Sequence, residues 1–123
     1  MKYYITGING FIGFTLAKKL AELGHEVTGI DNMNHYYDVA LKIARNRILV
    51  KEHGIRSNYG SLLSNGDLNH TLSKEKPDVV IHLAAYAGIR NSIENPNQYI
   101  NNNVTGTQNL INACEKYGIE NVL

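Results

Sequence analysis

The sequence predicts an α/β fold, a parallel sheet with helices on both faces. Three observations carry that reading. Short apolar runs alternate with segments of helical periodicity, the order that a parallel sheet with right-handed crossovers requires. A glycine-rich turn, Gly7-x-x-Gly10-x-x-Gly13, joins the first run to the first periodic segment. The stretch Asp78 to Ala84 (DVVIHLA) is apolar almost throughout, as befits a strand covered on both sides.

The first strand covers Tyr3 to Ile5 and runs into the glycine turn. Ile12, Leu16, Leu20 and Leu23 then recur at spacings of four, four and three. That periodicity predicts a helix with this apolar stripe inward. Thr15, Lys18, Lys19 and Glu22 fill its other face, and Gly24 stands where a left-handed cap is expected. Glu26 to Asp31 (EVTGID) reads as the second strand. Residues 38–53 read as a helix closed by Gly54, and Ile55 to Tyr59 as a weaker third strand.

The region 62–76 holds a short helix, followed by the fourth strand at Asp78 to Ala84. Asn95-Pro96 supplies a helix start, an Asn cap with proline at the first helical position. The helix so opened runs from Pro96 to Tyr117, with Ile100, Val104, Thr107, Ile111 and Cys114 as its stripe and Gly118 as its end. Ile119 begins a fifth strand, within which the sequence stops. Residues 1–123 thus read as one domain, a half sheet of the Rossmann type, truncated within the fifth strand.

Apolar residues make up 43% of the chain, charged residues 19%, and the formal net charge is +1. That balance offers no handle for nucleic acid or a membrane surface. Cys114 is the sole cysteine, so no disulfide framework or thiol metal site exists, and a reducing cytoplasm fits best. The opening residues turn polar too early for a signal peptide. Histidines at 25, 35, 53, 70 and 82 show no metal-ligand spacing. His82 interrupts an apolar strand and reads as a core histidine with satisfied hydrogen bonds.

The glycine turn is the main chemical signal. Gly7 permits the tight turn, Gly10 lets backbone approach a pyrophosphate, and Gly13 lets helix and strand pack closely. A pyrophosphate lying there meets the N–H groups of the helix start. Asp31 ends the second strand 18 residues after Gly13. Its carboxylate suits the adenosine ribose hydroxyls and opposes a 2′-phosphate, which favours NAD over NADP. Lys42 and Arg45, three apart on one helix face, read as a solvated face.

The segments TGINGFIG, GHEVTGIDNMNHYYDVALKIAR and PDVVIHLAAYAGIRNSIENPNQYINNNVTGTQNLINA resemble the extended short-chain dehydrogenase/reductase family. Within it they resemble the NAD-dependent epimerases and dehydratases of nucleotide sugars. DNxNxYYDVxLKxxR and HLAAxAGxRxSxENPxxY single out the UDP-glucuronate 4-epimerase type; RNSIENP and NNNVTGT also resemble 4,6-dehydratases. The resemblance spans essentially all 123 residues and implies NAD as cofactor. It implies that Phe11 and Ile12 join the three glycines, and that Asn32, with Asn34 behind it, joins Asp31 at the adenosine end. Leu83, Ala84 and Ala85 would run beneath the nicotinamide side. Asn103 matches a helix asparagine near cofactor and sugar, or is one more polar residue of the run Asn101-Asn102-Asn103. Tyr36 and Tyr37 match a paired tyrosine, or simply pack the loop against the sheet. Gly88 and Arg90, on a loop after the fourth strand, would lie toward the sugar nucleotide; read by itself, Arg90 is an exposed residue paired with Glu94.

Two departures stand out. Relatives carry an Asp and an aliphatic residue after the third strand to meet the adenine. Asp67-Leu68 has those letters but lies only 11 residues before Asp78, whereas Ser61-Leu62 lies 17 before it. The spacing favours Ser61-Leu62, so a Ser stands where the acid is expected. The second departure is the acid–base pair Tyr-x-x-x-Lys. Tyrosines stand at 3, 4, 36, 37, 59, 86, 99 and 117, and none has Lys four residues on. No catalytic residue is therefore assigned, and none to a metal.

The expected function is the NAD-binding portion of a nucleotide-sugar 4-epimerase that does not epimerise by itself. A nucleotide sugar would bind only with a complementing chain. A stand-alone NAD module or half of a split enzyme is one alternative, and a degenerate remnant that folds and binds little is another. An uncovered fifth strand and the helix over 96–117 would also favour self-association.

Overall fold

The computed structural model describes residues 1–35 and 38–123. Tyr36 and Tyr37 lie outside the described residues. Five parallel strands form one sheet in the order β3-β2-β1-β4-β5. The strands are β1 (Lys2–Thr6), β2 (Glu26–Asp31), β3 (Arg56–Tyr59), β4 (Val79–His82) and β5 (Asn121–Val122). Between them run α1 (Phe11–Glu22), α2 (Val39–His53), α3 (Asn65–Glu75), α4 (Ile89–Glu94), α5 (Pro96–Tyr99), a π-helical turn (Ile100–Thr105) and α6 (Gly106–Lys116).

Side chains alternate along each strand and feed two cores. Tyr4, Ile30 and Val80 pack with Leu68 and Leu72 of α3 and Leu110, Ala113 and Cys114 of α6. Ile5, Ile8 and Val27 pack with Ala17 of α1 and Leu49 of α2 on the opposite face. Helices therefore cover both faces, as the composition of β1 and β4 requires. Tyr4 is fully buried, its hydroxyl 2.8 Å from Thr71 Oγ1. Burial pushes its phenol well above the ordinary tyrosine range.

Punctuation by glycine follows the sequence. Gly24, Gly54 and Gly118 each take positive φ just past a helix, the left-handed conformation that glycine adopts without penalty. The helix faces differ from expectation. In α1 the buried residues are Gly13 and Ala17, while Ile12 and Leu23 are 63% and 62% exposed. The smallest residues face the sheet because the helix packs too close for a larger one. Leu16 and Leu20 are only partly buried on its flank.

The helix expected over 96–117 is three pieces. The π-helical turn separates α5 from α6 and rotates the stripe: Gly106, Leu110, Ala113 and Cys114 are buried, and Ile100, Val104 and Ile111 are 54%, 62% and 46% exposed. Pro96 does open α5, but Asn95 caps nothing; its Nδ2 donates to Asn91 Oδ1 instead. Residues 89–94, expected as loop, form α4. Strand β4 is shorter than expected, although Leu83 N still donates to Thr6 O.

Candidate functional site

The carboxyl ends of β1, β2 and β4 open into a cavity of about 420 Å³. It lies where ligands of open α/β sheets sit, outside the strand ends at the reversal of strand order. Gly7, Gly10 and Phe11 line its floor, Ile30, Asp31 and Asn32 one end, and Leu83, Ala84, Ala85 and Tyr86 the other. Asn34, Asp38, Leu41, Lys42 and Arg45 close the β2 side, with Gly60, Leu62 and Asn102 completing the wall.

The floor is built by exclusion of side chains. Gly7 has φ +72, and a Cβ there would stand 3.0 Å from Ala84 Cα and N. A Cβ on Gly13 would run into the Gly7 carbonyl. Gly10 N donates to that same carbonyl at 3.0 Å, and Gly10 caps α1 with no side-chain acceptor. No acidic residue occupies the first turn of α1. The free N–H groups and positive dipole end of a twelve-residue helix thus face the cavity unneutralised. That donor set fits a dinucleotide pyrophosphate.

At the β2 end, Asp31 is 5% exposed. Its Oδ2 accepts from Asn9 N at 3.0 Å, and its Oδ1 from Met33 N at 2.8 Å. Lys42 Nζ lies 3.4 Å from Oδ1 and 3.4 Å from Asn34 Oδ1. Lys42 is 7% exposed, which corrects the expectation of a solvated face. Arg45 departs from it too: Nη1 donates to Asn9 O at 3.3 Å, and the guanidinium lies 5.9 Å from the Phe11 ring centre. Helix α2 is turned so that its Lys-x-x-Arg pair seals the cavity and its apolar Leu41 and Ile43 stay half exposed.

At the β4 end the links are neutral. Thr6 Oγ1 accepts from Leu83 N and Ala84 N, each at 3.1 Å. Its own hydrogen then goes to His82 Nδ1, 2.7 Å away. The imidazole proton accordingly sits on Nε2 and is donated to Thr107 Oγ1 at 2.8 Å. Thr107 donates onward to Asn103 O at 2.7 Å. Asn103 closes the chain by gripping the Tyr86 backbone, accepting from its N at 2.8 Å and donating to its O at 2.9 Å. Burial lowers the His82 pKa below the ordinary imidazole value, in keeping with a neutral ring held by two hydroxyls.

The cavity gathers Gly7, Gly10, Phe11, Asp31, Asn32, Leu62, Leu83, Ala84 and Ala85. Ile12 and Gly13 lie behind the floor, Ile12 exposed and Gly13 packed on the turn. Asn103 stands outside the lining and braces Tyr86, while its neighbour Asn102 lines the wall. Ser61 is also outside: its N donates to Asp67 Oδ2 at 2.9 Å and its Oγ accepts from Leu63 N. The two candidate segments after β3 thus meet through that bond. Gly88 (φ +99) precedes α4 and Arg90 is exposed within it, both outside the lining. Arg90 and Glu94 form no ion pair among the described residues, which corrects the pairing expected for them. The sequence marks neither Asp38 nor Tyr86 as a site residue, and reads Lys42 and Arg45 only as a solvated face. Spacing alone held the signal for Lys42 and Arg45, a Lys-x-x-Arg pair one helix turn beyond a capping Asp38.

The family model described as NAD dependent epimerase/dehydratase matches residues 3–123. Protein CapI of Staphylococcus aureus is 44% identical over 123 residues, covering all of this chain and 36% of its own length. A probable UDP-glucuronate 4-epimerase of Rhizobium meliloti is 44% identical over 115 residues, 94% of this chain and 34% of its own. Among solved structures, the UDP-glucuronic acid 4-epimerase of Bacillus cereus, in complex with UDP-glucuronic acid and NAD, superposes with a TM-score of 0.82 at 35% identity. That match covers 94% of this chain and 36% of the other. The chain therefore spans about a third of the length of these relatives.

Proposed function

We propose, for a chain that belongs to the NAD dependent epimerase/dehydratase family, that the cavity at the carboxyl end of its sheet holds NAD. The observation that carries this is the continuity of one cavity from Asp31 across the Gly7–Phe11 turn to Leu83, Ala84 and Ala85. An acid for ribose hydroxyls, a side-chain-free floor at a helix start and a small-residue bed lie in the order in which a dinucleotide presents ribose, pyrophosphate and nicotinamide. Bound there, NAD supplies a ring that takes up a hydride and returns it.

We read the chain as the cofactor-holding part of a nucleotide-sugar 4-epimerase of the UDP-glucuronate type. The relatives that bear that name support the reading. These 123 residues contain no Tyr-x-x-x-Lys pair, so we assign them cofactor binding and not proton transfer at the sugar. Arg90, exposed at the start of α4, is the cation we assign to the sugar-nucleotide side. We further read the exposed Ile100, Val104 and Ile111 and the edge strand β5 as a surface for self-association. No described helix is long and apolar enough to cross a membrane; with one free, buried cysteine, a cytoplasmic setting is our reading.

Calorimetric titration with NAD tests the proposal. The chain takes up NAD, and Asp31→Ala weakens binding by about tenfold or more, the worth of hydrogen bonds to a charged group. No heat from a chain shown to be folded by circular dichroism overturns it.

A further inference from the structure

The β2 end of the cavity carries its charges in a pattern that an acid at a strand end does not foretell. An ionised carboxylate offers about four lone-pair positions. Among the described residues, Asn9 N, Met33 N and Lys42 Nζ fill three of those on Asp31. A ribose brought to Asp31 therefore meets one vacant acceptor position and an ammonium beside it. The four charged side chains lining the cavity, Asp31, Asp38, Lys42 and Arg45, balance to zero. Electrostatic exclusion of a ribose 2′-phosphate is cancelled at the place where Asp31 alone would impose it.

We infer that Lys42 sets the cofactor preference of the site, as a latent 2′-phosphate ligand that Asp31 holds in check. The inference rests on the NAD reading above. With Asp31 ionised, Lys42 is engaged and the ribose hydroxyl gains only the remaining acceptor position. The preference for NAD over NADP is then about tenfold, the worth of a single hydrogen bond. When the carboxylate is removed, the ammonium keeps, among the described residues, only the neutral Asn34 Oδ1 as a partner, and a 2′-phosphate brought to the same hydroxyl position becomes its counter-charge.

The test is titration of the unaltered chain, D31N and the double variant D31N/K42M with NAD and with NADP. D31N tightens NADP by about tenfold, the worth of one charge-assisted contact, which cancels the preference for NAD; the loss of the ribose contact to the carboxylate then reverses it. Adding K42M abolishes that gain, weakening NADP by about tenfold and NAD by less. In the unaltered chain, whose folding is not at issue, rising salt leaves the NAD:NADP ratio nearly constant, since Asp31 already engages Lys42 and the lining charges balance. An unaltered chain that takes up no NAD overturns the NAD reading itself. One that takes up NAD overturns the inference alone if its NAD:NADP ratio changes steeply with salt. So does a folded D31N that binds NADP no better than the unaltered chain, or a K42M addition that weakens NAD as much as NADP.

Discussion

At the β2 end of the cavity a buried ion pair holds the wall, next to a floor turn with no room for a Cβ; at the β4 end a run of hydroxyls, an imidazole and one carboxamide hold it. The first end is fixed by close contact and opposite charge, which tolerate little change of shape. The second is fixed by neutral hydrogen bonds, whose order depends on where each proton sits. The segments behind it, α4 and the π-helical turn, bury no residue, and Ile89 and Ile93 stand 83% and 75% exposed. One cavity thus has a wall that answers to packing and a wall that answers to pH.

Gly13→Ala gives the sharpest blow to the close-packed side, through the floor that adjoins the first wall. Its Cβ meets the Gly7 carbonyl, backbone against backbone, so α1 must move off the sheet. The expected loss is about 3 kcal/mol, the upper end of overpacking costs, read as a lower urea midpoint. A midpoint unchanged within error removes close packing as the distinguishing feature of that end.

The second wall is broken by acid. The folded-state pKa of His82 is lowered by burial, so below the unfolded value of about 6.5 the unfolded chain binds a proton that the folded chain refuses. Stability from this group is therefore complete above about pH 6.5 and falls as pH drops through and below it, by at most about 1.4 kcal/mol per pH unit. His82→Gln flattens that part of the profile measured by denaturant unfolding between pH 7 and 5. A variant with the same slope as the unaltered chain assigns the loss to another group.

The smallest effect falls on the exposed surface behind the second wall. Ile100→Ser changes stability by about 0.5 kcal/mol or less, as surface substitutions do, yet lowers the association seen by light scattering at high micromolar concentration. A monomeric unaltered chain under those conditions contradicts self-association through this face.

The legible parts of the sequence were those where one residue type has one physical reason to be present. Gly24, Gly54 and Gly118 marked helix ends because φ is positive there, and Gly7, Gly10 and Asp31 marked the cavity because a turn, a close approach and a strand-end acid leave few alternatives. Illegible parts were those decided by distance between elements. Ile12 and Leu23 satisfied helical periodicity, but α1 lies close enough to the sheet that Gly13 and Ala17 take the inner face. Lys42 carried every mark of a solvated residue, and only the fold of α2 over β2 brings it to Asp31. Helix α4 was missed because its six residues are too few to show a period.

The π-helical turn at Ile100–Thr105 gives the site an address counted in residues rather than written in side chains. Each residue advances an α-helix by about 100°, so the one extra residue that a wider turn accommodates decides which of Asn101, Asn102 and Asn103 points at Tyr86. Three identical letters in a row cannot specify that choice chemically. The turn acts as a spacer that sets the frame: any of the three could form the same two bonds to a peptide group, and the helix phase selects the third. The carbonyl of the selected asparagine accepts from Thr107, which joins it to His82 and, on the neighbouring strand β1, to Thr6 at the start of the glycine turn. Length in this segment is therefore constrained more tightly than composition.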